Sequence, residues 1–391
     1  MTTLTDAGPL LIVMLLAVLA PVVSSLSREI KLPFVVVEIL LGILAGPHVL
    51  NLVSVTPSLE ELSRFGMAFL FFWIGFEIDF KRLWGQDLMR ASKAWGISLI
   101  LGVSIGFILK QLDVVNSALL FGLATTTSAL GIIVPILKDR EDMDSPFARA
   151  AVSMATIGEL APILIASVIV IESGNPKPID IILLVSLVAG VVFATYLATR
   201  ITPPGFITYL RAQIQSTSQL LVRLASLLLA SLFFLTGSFG LDAILGALAA
   251  GIILGLLTNN DTGDEIKGRF ESIGFGLFIP IFFITTGIRF DLTGIASSTT
   301  ALIQIPFFLL ILLVTRGVPT SLYKDELNAE ERQTLAFSSA TALPVLIALT
   351  DIGISTGIMR TEVAASLVGA GVLSVLIYPS LMLRNRSHRA Q

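Results

Sequence analysis

The chain has 391 residues, of which 54% are hydrophobic and only 14% are charged, whereas soluble domains carry about a quarter charged residues. With a mean hydropathy of +0.90, this composition predicts an all-α polytopic membrane protein with no room for a soluble domain. The net charge of −3 indicates no class of partner, and the absence of cysteine excludes disulfides and thiol chemistry. The sequence has two histidines, His48 and His388, which argues against a histidine-built metal site.

Apolar segments of roughly 20 residues, long enough to cross a bilayer, recur from end to end. About thirteen are expected, at residues 8–27, 32–50, 60–80, 91–110, 115–137, 149–172, 179–199, 218–236, 240–258, 270–289, 296–316, 331–352 and 361–384. No basic region precedes the first, so we expect a retained span and not a cleaved signal. Lys and Arg, including Arg316 at the end of its span, concentrate in one set of connections. The positive-inside rule therefore predicts an outside N-terminus and a cytoplasmic C-terminus.

Four short segments of the first half recur in the same order in the second half. The pairs are 32–46 with 241–255, 75–79 with 287–291, 124–130 with 338–344, and 150–151 with 364–365. They predict two six-helix repeats, residues 1–178 and 218–391, joined by a linking helix and cytoplasmic loop at 179–217. An odd number of spans separates equivalent positions, so the second repeat is inverted. Inverted repeats with a site at the membrane midplane are typical of secondary transporters.

Acidic residues near the cytoplasmic ends of the second and third spans form the first candidate feature. Glu38 lies about 10 Å inside its span, and Glu77 and Asp79 lie at the end of theirs. Together they could form an acidic funnel that attracts cations. Snorkelling of these side chains toward Lys31 or Lys81 explains them equally well.

Two spans carry hydroxyl residues next to helix-breaking residues. The first has Thr125-Thr126-Thr127-Ser128 before Gly131 and Pro135, and the second has Ser338-Ser339-Ala-Thr341 before Pro344. This pattern predicts two discontinuous helices at equivalent repeat positions. Unwound carbonyls with hydroxyls suit a small hard cation, so Thr126, Thr127, Ser128, Ser339 and Thr341 are candidate ion ligands. The alternative is that these hydroxyls bond to their own helices.

Glu159 is an acid in the middle of the sixth span, roughly 15 Å from either end. Such a residue is a functional-site hypothesis by default, and a protonated Glu bonded to a neighbouring helix is the alternative. Pro162 cannot donate to the carbonyl of Gly158, so we expect a free backbone oxygen beside the carboxylate. Burial disfavours the charged carboxylate, so a proton and a monovalent cation would compete for it.

Several motifs together resemble the monovalent cation:proton antiporter-2 family. They are Glu38-Ile-Leu-Leu-Gly-Ile-Leu-Ala-Gly-Pro47, Phe72-Trp-Ile-Gly-Phe-Glu-Ile-Asp79, Thr125-Thr-Thr-Ser128, Ile279-Pro-Ile-Phe-Phe-Ile-Thr-Thr-Gly287 and Ala364-Ala-Ser-Leu-Val-Gly369. The resemblance covers nearly the whole chain and implies the sodium/proton antiporter fold with two crossed discontinuous helices. It also implies homodimers, elevator-like alternating access, a core domain from about 91–172 and 296–384, and a dimerisation domain from about 1–80 and 218–289. The ion-binding acid of the family falls at Glu159, and its unwound hydroxyl motif falls at Thr126, Thr127 and Ser128.

The chain departs from the family pattern at the candidate site. Glu159 stands where members usually have Asp, and Gly158 stands where they have Asn, Asp or Gln. Electrogenic relatives have a membrane-buried Lys in the tenth span, where this chain has Thr285-Thr286. A single titratable group predicts electroneutral 1:1 exchange. Because the chain stops at Gln391, we expect no cytoplasmic nucleotide-binding regulatory domain.

The expected function is therefore antiport of Na+ or K+ against H+ in a prokaryotic plasma membrane. A gated monovalent cation channel remains an alternative, as does a proton- or sodium-coupled organic-acid symporter, which would want a buried Arg or Lys near the midplane. We find no Arg or Lys near the midplane of any predicted span. The nearest candidate is Arg223, which is close to the start of its span. An enzyme is not expected, because a second group for acid–base or nucleophilic work is missing. The expected partners are lipid and a second copy, with no cofactor and no nucleic acid.

Overall fold

The computed structural model describes residues 7–26, 34–77, 86–138, 145–173, 219–238, 243–257, 263–290 and 299–387. These residues form helices and contain no strand, as the composition predicts. The α-helices are α1 (Ala7–Leu26), α2 (Phe34–Ala45), α3 (Pro57–Glu77), α4 (Gln86–Gln111), α5 (Ala118–Thr125), α6 (Leu130–Lys138), α7 (Pro146–Ser173), α8 (Leu220–Ser238), α9 (Ala243–Leu257), α10 (Gly263–Ile273), α11 (Ile279–Arg289), α12 (Thr299–Gly317), α13 (Ala329–Ala340), α14 (Pro344–Ser355) and α15 (Thr361–Ser387). A π-helix, Gly274–Phe278, joins α10 to α11, and a 3-10 helix, Val318–Tyr323, follows α12.

Every predicted span but one coincides with a helix or with an interrupted pair of helices; the linking span 179–199 lies outside the described residues. Within the described part, six helices are long and apolar enough to cross a membrane, or seven with α13 and α14 taken as one. Other spans are shorter than expected. For example, α2 ends at Ala45 because Gly46 and Pro47 follow it.

Both predicted interruptions are present. Residues 126–129 are not helical and separate α5 from α6, and residues 341–343 separate α13 from α14. The second pair bends by 41° at its break, where Pro344 is the first residue of α14. Each break begins one residue or more after the start of its hydroxyl run, because the first hydroxyl residues of the run remain in the last turn of the preceding helix.

The chain divides into two compact units. Unit one comprises Met1–Pro21, Glu38–Asp79 and Ser167–Arg289, and unit two comprises Val22–Val37, Phe80–Ala166 and Phe290–Gln391. In unit one, glycines bring helices into backbone contact: Gly42 of α2 faces the carbonyl of Ile284, and Gly251 of α9 faces the carbonyl of Phe72. Close packing of small residues is how helices associate inside a bilayer.

An aromatic cluster reinforces unit one around the π-helix. The rings of Phe69 and Phe278 stack with centroids 4.6 Å apart, and Trp73 meets Phe275 edge to face at 5.6 Å. The π-helix is defined by a bond from the N–H of Ile279 to the carbonyl of Gly274, five residues earlier. These contacts fix the region where α3 passes the junction between α10 and α11.

The core of unit two surrounds α6 and α7. Leu130 and Leu137 of α6 form one buried cluster with Phe147 and Met154 of α7, and Tyr323 of the 3-10 helix completes it. This cluster holds α7 beside the first interruption, which places Glu159 at the break.

Candidate functional site

The sequence-predicted acid lies at the first interruption. Glu159 is in α7, and its side chain is 1% exposed. Its Oε1 accepts a hydrogen bond of 2.8 Å from the backbone N–H of Leu130, the first residue of α6. A helix N-terminus carries partial positive charge and unsatisfied N–H groups, so it stabilises a carboxylate. The sequence predicted the acid but not this backbone partner.

Gly158 joins α7 to the same break. Its carbonyl, which Pro162 cannot use, accepts a 3.2 Å hydrogen bond from the N–H of Ser128. The oxygen that we expected to be free is therefore engaged by the unwound segment. A β-carbon at Gly158 would lie 2.7 Å from Ser128 Oγ and 2.9 Å from Arg316 Nη2. Only a glycine allows α7 and the break to approach this closely.

The threonines of the first break bond to their own helix. The hydroxyls of Thr125, Thr126 and Thr127 donate to carbonyls three residues earlier, at 2.8, 2.7 and 2.8 Å. All three side chains are buried. Thr315 of α12 adds a bond of 2.9 Å to the carbonyl of Thr125. The hydroxyls thus cap the end of α5, as the alternative interpretation held, while their oxygens keep lone pairs that can accept a bond or a cation.

The second interruption meets the first through one hydrogen bond. Ser128 Oγ donates to the carbonyl of Ser339, in the last turn of α13, at 2.6 Å. Thr341 Oγ1 donates back to the carbonyl of Phe337 at 3.0 Å. At the start of α14, Ser374 of α15 accepts from the N–H of Ala342 at 3.0 Å. The structure therefore brings Ser128 and Ser339 together with Gly158.

A buried arginine that the sequence analysis missed lies between the two breaks. The Nη2 of Arg316 donates to Ser128 Oγ and to the carbonyl of Met154, both at 2.8 Å, and its Nε donates to the carbonyl of Ser339 at 3.2 Å. Its Nη1 reaches Ser98 Oγ at 3.4 Å. The side chain is 0% exposed.

The sequence analysis was wrong to place Arg316 in a cytoplasmic connection and to find no buried cation. Arg316 belongs to the last turn of α12, and the 3-10 helix continues from there to Tyr323. The helical structure therefore continues beyond residue 316, where the sequence analysis predicted the end of this span. The signal was present in the sequence, because Arg316 follows the 24 residues 292–315, none of them charged, and precedes Gly317-Val-Pro and not a polar loop.

The ends of the interrupted helices have complementary partners. Glu159, an acid, bonds to the N-terminus of α6, and Arg316, a base, bonds to the C-terminal turn of α13. Helix dipoles favour this arrangement, because the N-terminal end is positive and the C-terminal end is negative. One acid and one base thus compensate two helix ends that are buried in unit two.

The acids predicted to form a funnel lie in unit one. Glu38 of α2 is 2% exposed, and its Oε2 is buried without a hydrogen-bond partner among the residues that the structure describes. Glu77 is the last residue of α3, and its side chain is outside the described part of the structure. Asp79 is outside the described part altogether. The funnel therefore stays a prediction.

Comparison with known proteins decides the family. The model of the transmembrane sodium/hydrogen exchanger family matches residues 14–383, nearly the whole chain. The chain belongs to the sodium/hydrogen exchanger family. The predicted resemblance to cation:proton antiporters is confirmed by this match.

Relatives of this exchanger family cover the chain almost from end to end. The YjbQ protein of Bacillus subtilis is 29% identical over 96% of the chain and 62% of its own length. An Na+/H+ antiporter of Enterococcus hirae is 23% identical over 95% of the chain and 96% of its own length. Cation/H+ antiporter 19 of Arabidopsis thaliana is 23% identical, and the chain spans 50% of it. The chain thus spans about half to two thirds of some relatives and nearly all of another.

The fold of this chain is similar to that of a solved antiporter. The sodium proton antiporter MjNhaP1 of Methanocaldococcus jannaschii superimposes with a TM-score of 0.63 over 96% of this chain and 94% of that one, at 18% identity. The predicted sodium/proton antiporter fold is therefore confirmed.

Proposed function

We propose that the protein is a secondary active antiporter that exchanges a monovalent cation, Na+ or K+, for H+. The observation that carries the proposal is the buried carboxylate of Glu159, which meets an interrupted helix at its N-terminal N–H group. Membership of the sodium/hydrogen exchanger family supports cation and proton as the exchanged species. The Enterococcus hirae relative, named as an Na+/H+ antiporter, supports the same conclusion.

Competition at one carboxylate would couple the two ions. A proton neutralises Glu159 covalently, and a cation neutralises it by coordination, so only one of them is bound at a time. The remaining ligands of the cation would come from the oxygens of Thr126, Thr127, Ser128, Ser339 and Thr341, with Gly158 allowing the first break to approach α7 closely. The hydroxyls of Thr126 and Thr127 donate to their own helix, which leaves their oxygens able to coordinate a cation.

The charges at this site support electroneutral 1:1 exchange as part of the proposal. Arg316 is the second charged group, and an arginine side chain keeps its proton in proteins. Its charge is therefore the same in the proton-loaded and cation-loaded states. Both loaded states carry equal charge, and one proton replaces one monovalent cation.

Elevator-like alternating access by a homodimer is the transport mechanism that we propose. Unit two, which contains Glu159 and both interruptions, would be the mobile core, and unit one would supply the dimerisation domain. The proposed setting is a prokaryotic plasma membrane with the N-terminus outside and the C-terminus in the cytoplasm. Glu38 and Glu77 would draw cations toward the cytoplasmic entrance.

An organic-acid symporter gains one supporting observation, the buried Arg316, since a guanidinium could bind a carboxylate substrate. However, its Nε, its Nη1 and both N–H groups of its Nη2 are directed at protein oxygens. Only one of its five N–H groups remains for a substrate. A two-point clamp on a carboxylate is therefore unavailable, and the antiporter remains the better proposal.

The proposal is tested in proteoliposomes by the dissipation of an imposed pH gradient on addition of Na+, K+ or Li+. We expect Glu159→Gln to abolish exchange, because the amide binds neither a proton nor a cation as the carboxylate does. Glu330→Gln is the matched control, since Glu330 is exposed at the start of α13 and should exchange as wild type. Retained exchange in Glu159→Gln would refute the site, and cation flux without proton movement in the wild type would indicate a channel.

A finer test shortens the acid by one methylene. Glu159→Asp moves the carboxylate away from the N–H of Leu130, to which Glu159 bonds at 2.8 Å. We expect slower exchange with a displaced pH optimum, because the hydrogen bond that stabilises the carboxylate is weakened. An unchanged optimum would show that another group titrates during transport.

A further inference from the structure

Glu38 of α2 is a buried acid of unit one, whereas Glu159 belongs to unit two. The side chain of Glu38 is 2% exposed, and its Oε2 has no hydrogen-bond partner in the part of the chain that the structure describes. Glu159, by contrast, accepts a bond from the N-terminus of α6. A buried carboxylate without such a partner is unfavourable. Glu38 therefore requires a proton or a cation to neutralise it.

The hydroxyl of Thr285 in α11 is also buried without a partner. The side chain is 0% exposed, and its Oγ1 makes no hydrogen bond to any residue that the structure describes. A helical threonine commonly bonds its hydroxyl to a carbonyl three or four residues earlier. The adjacent Thr286 does so, donating to the carbonyl of Phe282 at 2.9 Å. Thr285 does not, which leaves its oxygen able to bind another group.

A backbone carbonyl of α1 is the third oxygen. Pro21 lies inside α1 and has no N–H to donate to the carbonyl of Ala17, four residues earlier. A carbonyl that a proline leaves without its helical donor must find another partner inside a membrane. The carbonyl of Ala17 is thus the counterpart, in α1, of the Gly158 carbonyl that Pro162 leaves without a donor in α7.

The helix faces that carry Thr285 and Ala17 meet in one buried cluster of unit one. This cluster includes Ile281 and Ile288 of α11, and Ala17 of α1 packs against it. Thr285 follows Ile281 by four residues and precedes Ile288 by three, so it lies between them on the same face of α11. Thr285 and Ala17 are therefore on the faces of α11 and α1 that the cluster joins.

Glu38 lies on the face of α2 that joins the same cluster. Ala45 of α2 belongs to the cluster and follows Glu38 by seven residues, about two helical turns. Gly42, one turn after Glu38, brings α2 into backbone contact with α11, since a β-carbon there would lie 2.2 Å from the carbonyl of Ile284. Ile284 immediately precedes Thr285. The acid and the hydroxyl therefore come from neighbouring turns of two helices in contact.

We propose that Glu38, Thr285 and the carbonyl of Ala17, brought together where α1, α2 and α11 pack, form a second binding site for a monovalent cation. A carboxylate, a hydroxyl and a carbonyl supply the oxygen ligands that a small hard cation prefers. The carboxylate has one negative charge, so one monovalent cation neutralises it. The choice of Na+ or K+ rests on the proposed function, and Glu38 would hold the cation that it draws in.

The test measures the cation-dependent shift in melting temperature of the purified full chain carrying Glu159→Gln, which removes the carboxylate of the first site. NaCl or KCl replaces choline chloride at constant ionic strength, because a ligand that binds the folded protein raises its melting temperature. We expect the shift to remain in this variant and to be lost in Glu38→Gln/Glu159→Gln.

A matched pair of threonine variants tests the hydroxyl in the same Glu159→Gln chain. Thr285→Val should weaken cation binding by about tenfold, comparable with the loss of a hydrogen bond to a charged group. Thr286→Val is the control and should bind as the parent variant, because the hydroxyl of Thr286 is already bonded to its own helix.

The outcomes separate this site from the one at Glu159. A shift that survives Glu159→Gln and disappears on adding Glu38→Gln supports the second site, whatever the exchange assay shows for Glu159. No shift in the Glu159→Gln chain would mean that Glu38 holds a proton or pairs with a basic residue, and would overturn the proposal. An unchanged shift on adding Glu38→Gln, or equal weakening by Thr285→Val and Thr286→Val, would overturn it as well.

Discussion

The two interrupted helices of unit two share a backbone plan and differ in their partners. The first break meets Glu159, a group whose charge changes when it takes a proton. The second meets Arg316, whose charge is fixed, and the hydroxyl of Ser374. On the proposed exchange mechanism, the two breaks would have different tasks: the first would offer a variable charge that exchange can use, and the second a constant charge that holds the first in place.

The physical reason lies in the cost of burying helix ends. Each break leaves N–H and carbonyl groups without helical partners, and such groups must be satisfied inside a membrane protein. Thr125, Thr126 and Thr127 satisfy carbonyls at the first break locally. Thr341 does the same for the carbonyl of Phe337 at the second break, where Arg316 and Ser374 add partners from other helices.

The largest effect is expected from removing the fixed charge. Arg316→Gln removes the hydrogen bonds from the guanidinium to the carbonyls of Met154 and Ser339, and a hydrogen bond to a charged group contributes about 1.5–3 kcal/mol. We expect a lower melting temperature and loss of exchange, measured by thermal unfolding and in proteoliposomes. Arg316→Lys restores the charge without the planar fork and should recover part of both.

The control for this prediction is Arg332→Gln, which removes an arginine from α13 outside the site and should match wild type. If Arg316→Gln unfolds and exchanges like wild type, the second break needs no fixed charge and the contrast between the breaks fails.

An intermediate effect is expected where α7 meets the first break. Gly158→Ala places a methyl group 2.7 Å from Ser128 Oγ, so the unwound segment must shift and its bond to the carbonyl of Gly158 weakens. Overpacking of this kind costs about 1–3 kcal/mol, and we expect slower exchange with a lower apparent cation affinity. Initial exchange rates over a series of cation concentrations measure both.

Gly131→Ala is the matched control, because a β-carbon at Gly131 meets no atom within 4 Å. It should leave exchange unchanged and raise helix stability slightly. Equal behaviour of the two alanine variants would mean that the close approach at Gly158 does not matter to the site.

The smallest effect on transport is expected at the second break. Ser374→Ala removes the acceptor of the N–H of Ala342 and should destabilise the protein by about 1–3 kcal/mol. Because that break acts as a support, cation affinity and the pH profile should stay as in wild type. Ser380→Ala, an exposed serine of the same helix, is the control for stability. A changed cation affinity in Ser374→Ala would assign ion binding to the second break as well.

Much of this arrangement could be predicted from the sequence. A carboxyl group in an apolar segment indicates a site because burial is expensive, and that reasoning led to Glu159. Hydroxyl residues beside Gly and Pro indicate interrupted helices, and both interruptions are present. The family motifs extended these local patterns to the fold of the whole chain.

The partners of these groups could not be predicted. The N–H of Leu130 is a backbone group, and no residue type marks a backbone donor that faces another helix. Arg316 was missed because a basic residue at the end of an apolar run is normally taken to mark the cytoplasmic end of a span. Only the packing of α4, α7 and α13 around Arg316 shows that it is buried. Because Pro162 removes the helical donor to the carbonyl of Gly158, this carbonyl was expected to be free. The sequence did not indicate that the N–H of Ser128 would replace that donor.

The π-helix of unit one has a consequence for changes in chain length. Its bond from Ile279 to Gly274 spans five residues where an α-helix spans four, so this stretch accommodates one surplus amino acid. Gly276 is exposed there, with no atom within 4 Å of a β-carbon. A deletion at Gly276 would convert the π-helical turn into ordinary α-helix. The helical segments on either side, with Phe270 before the turn and Phe282 after it, would keep their orientation about the helix axis. The same deletion in α11 would rotate every later residue by about 100° and turn Gly287 away from α2.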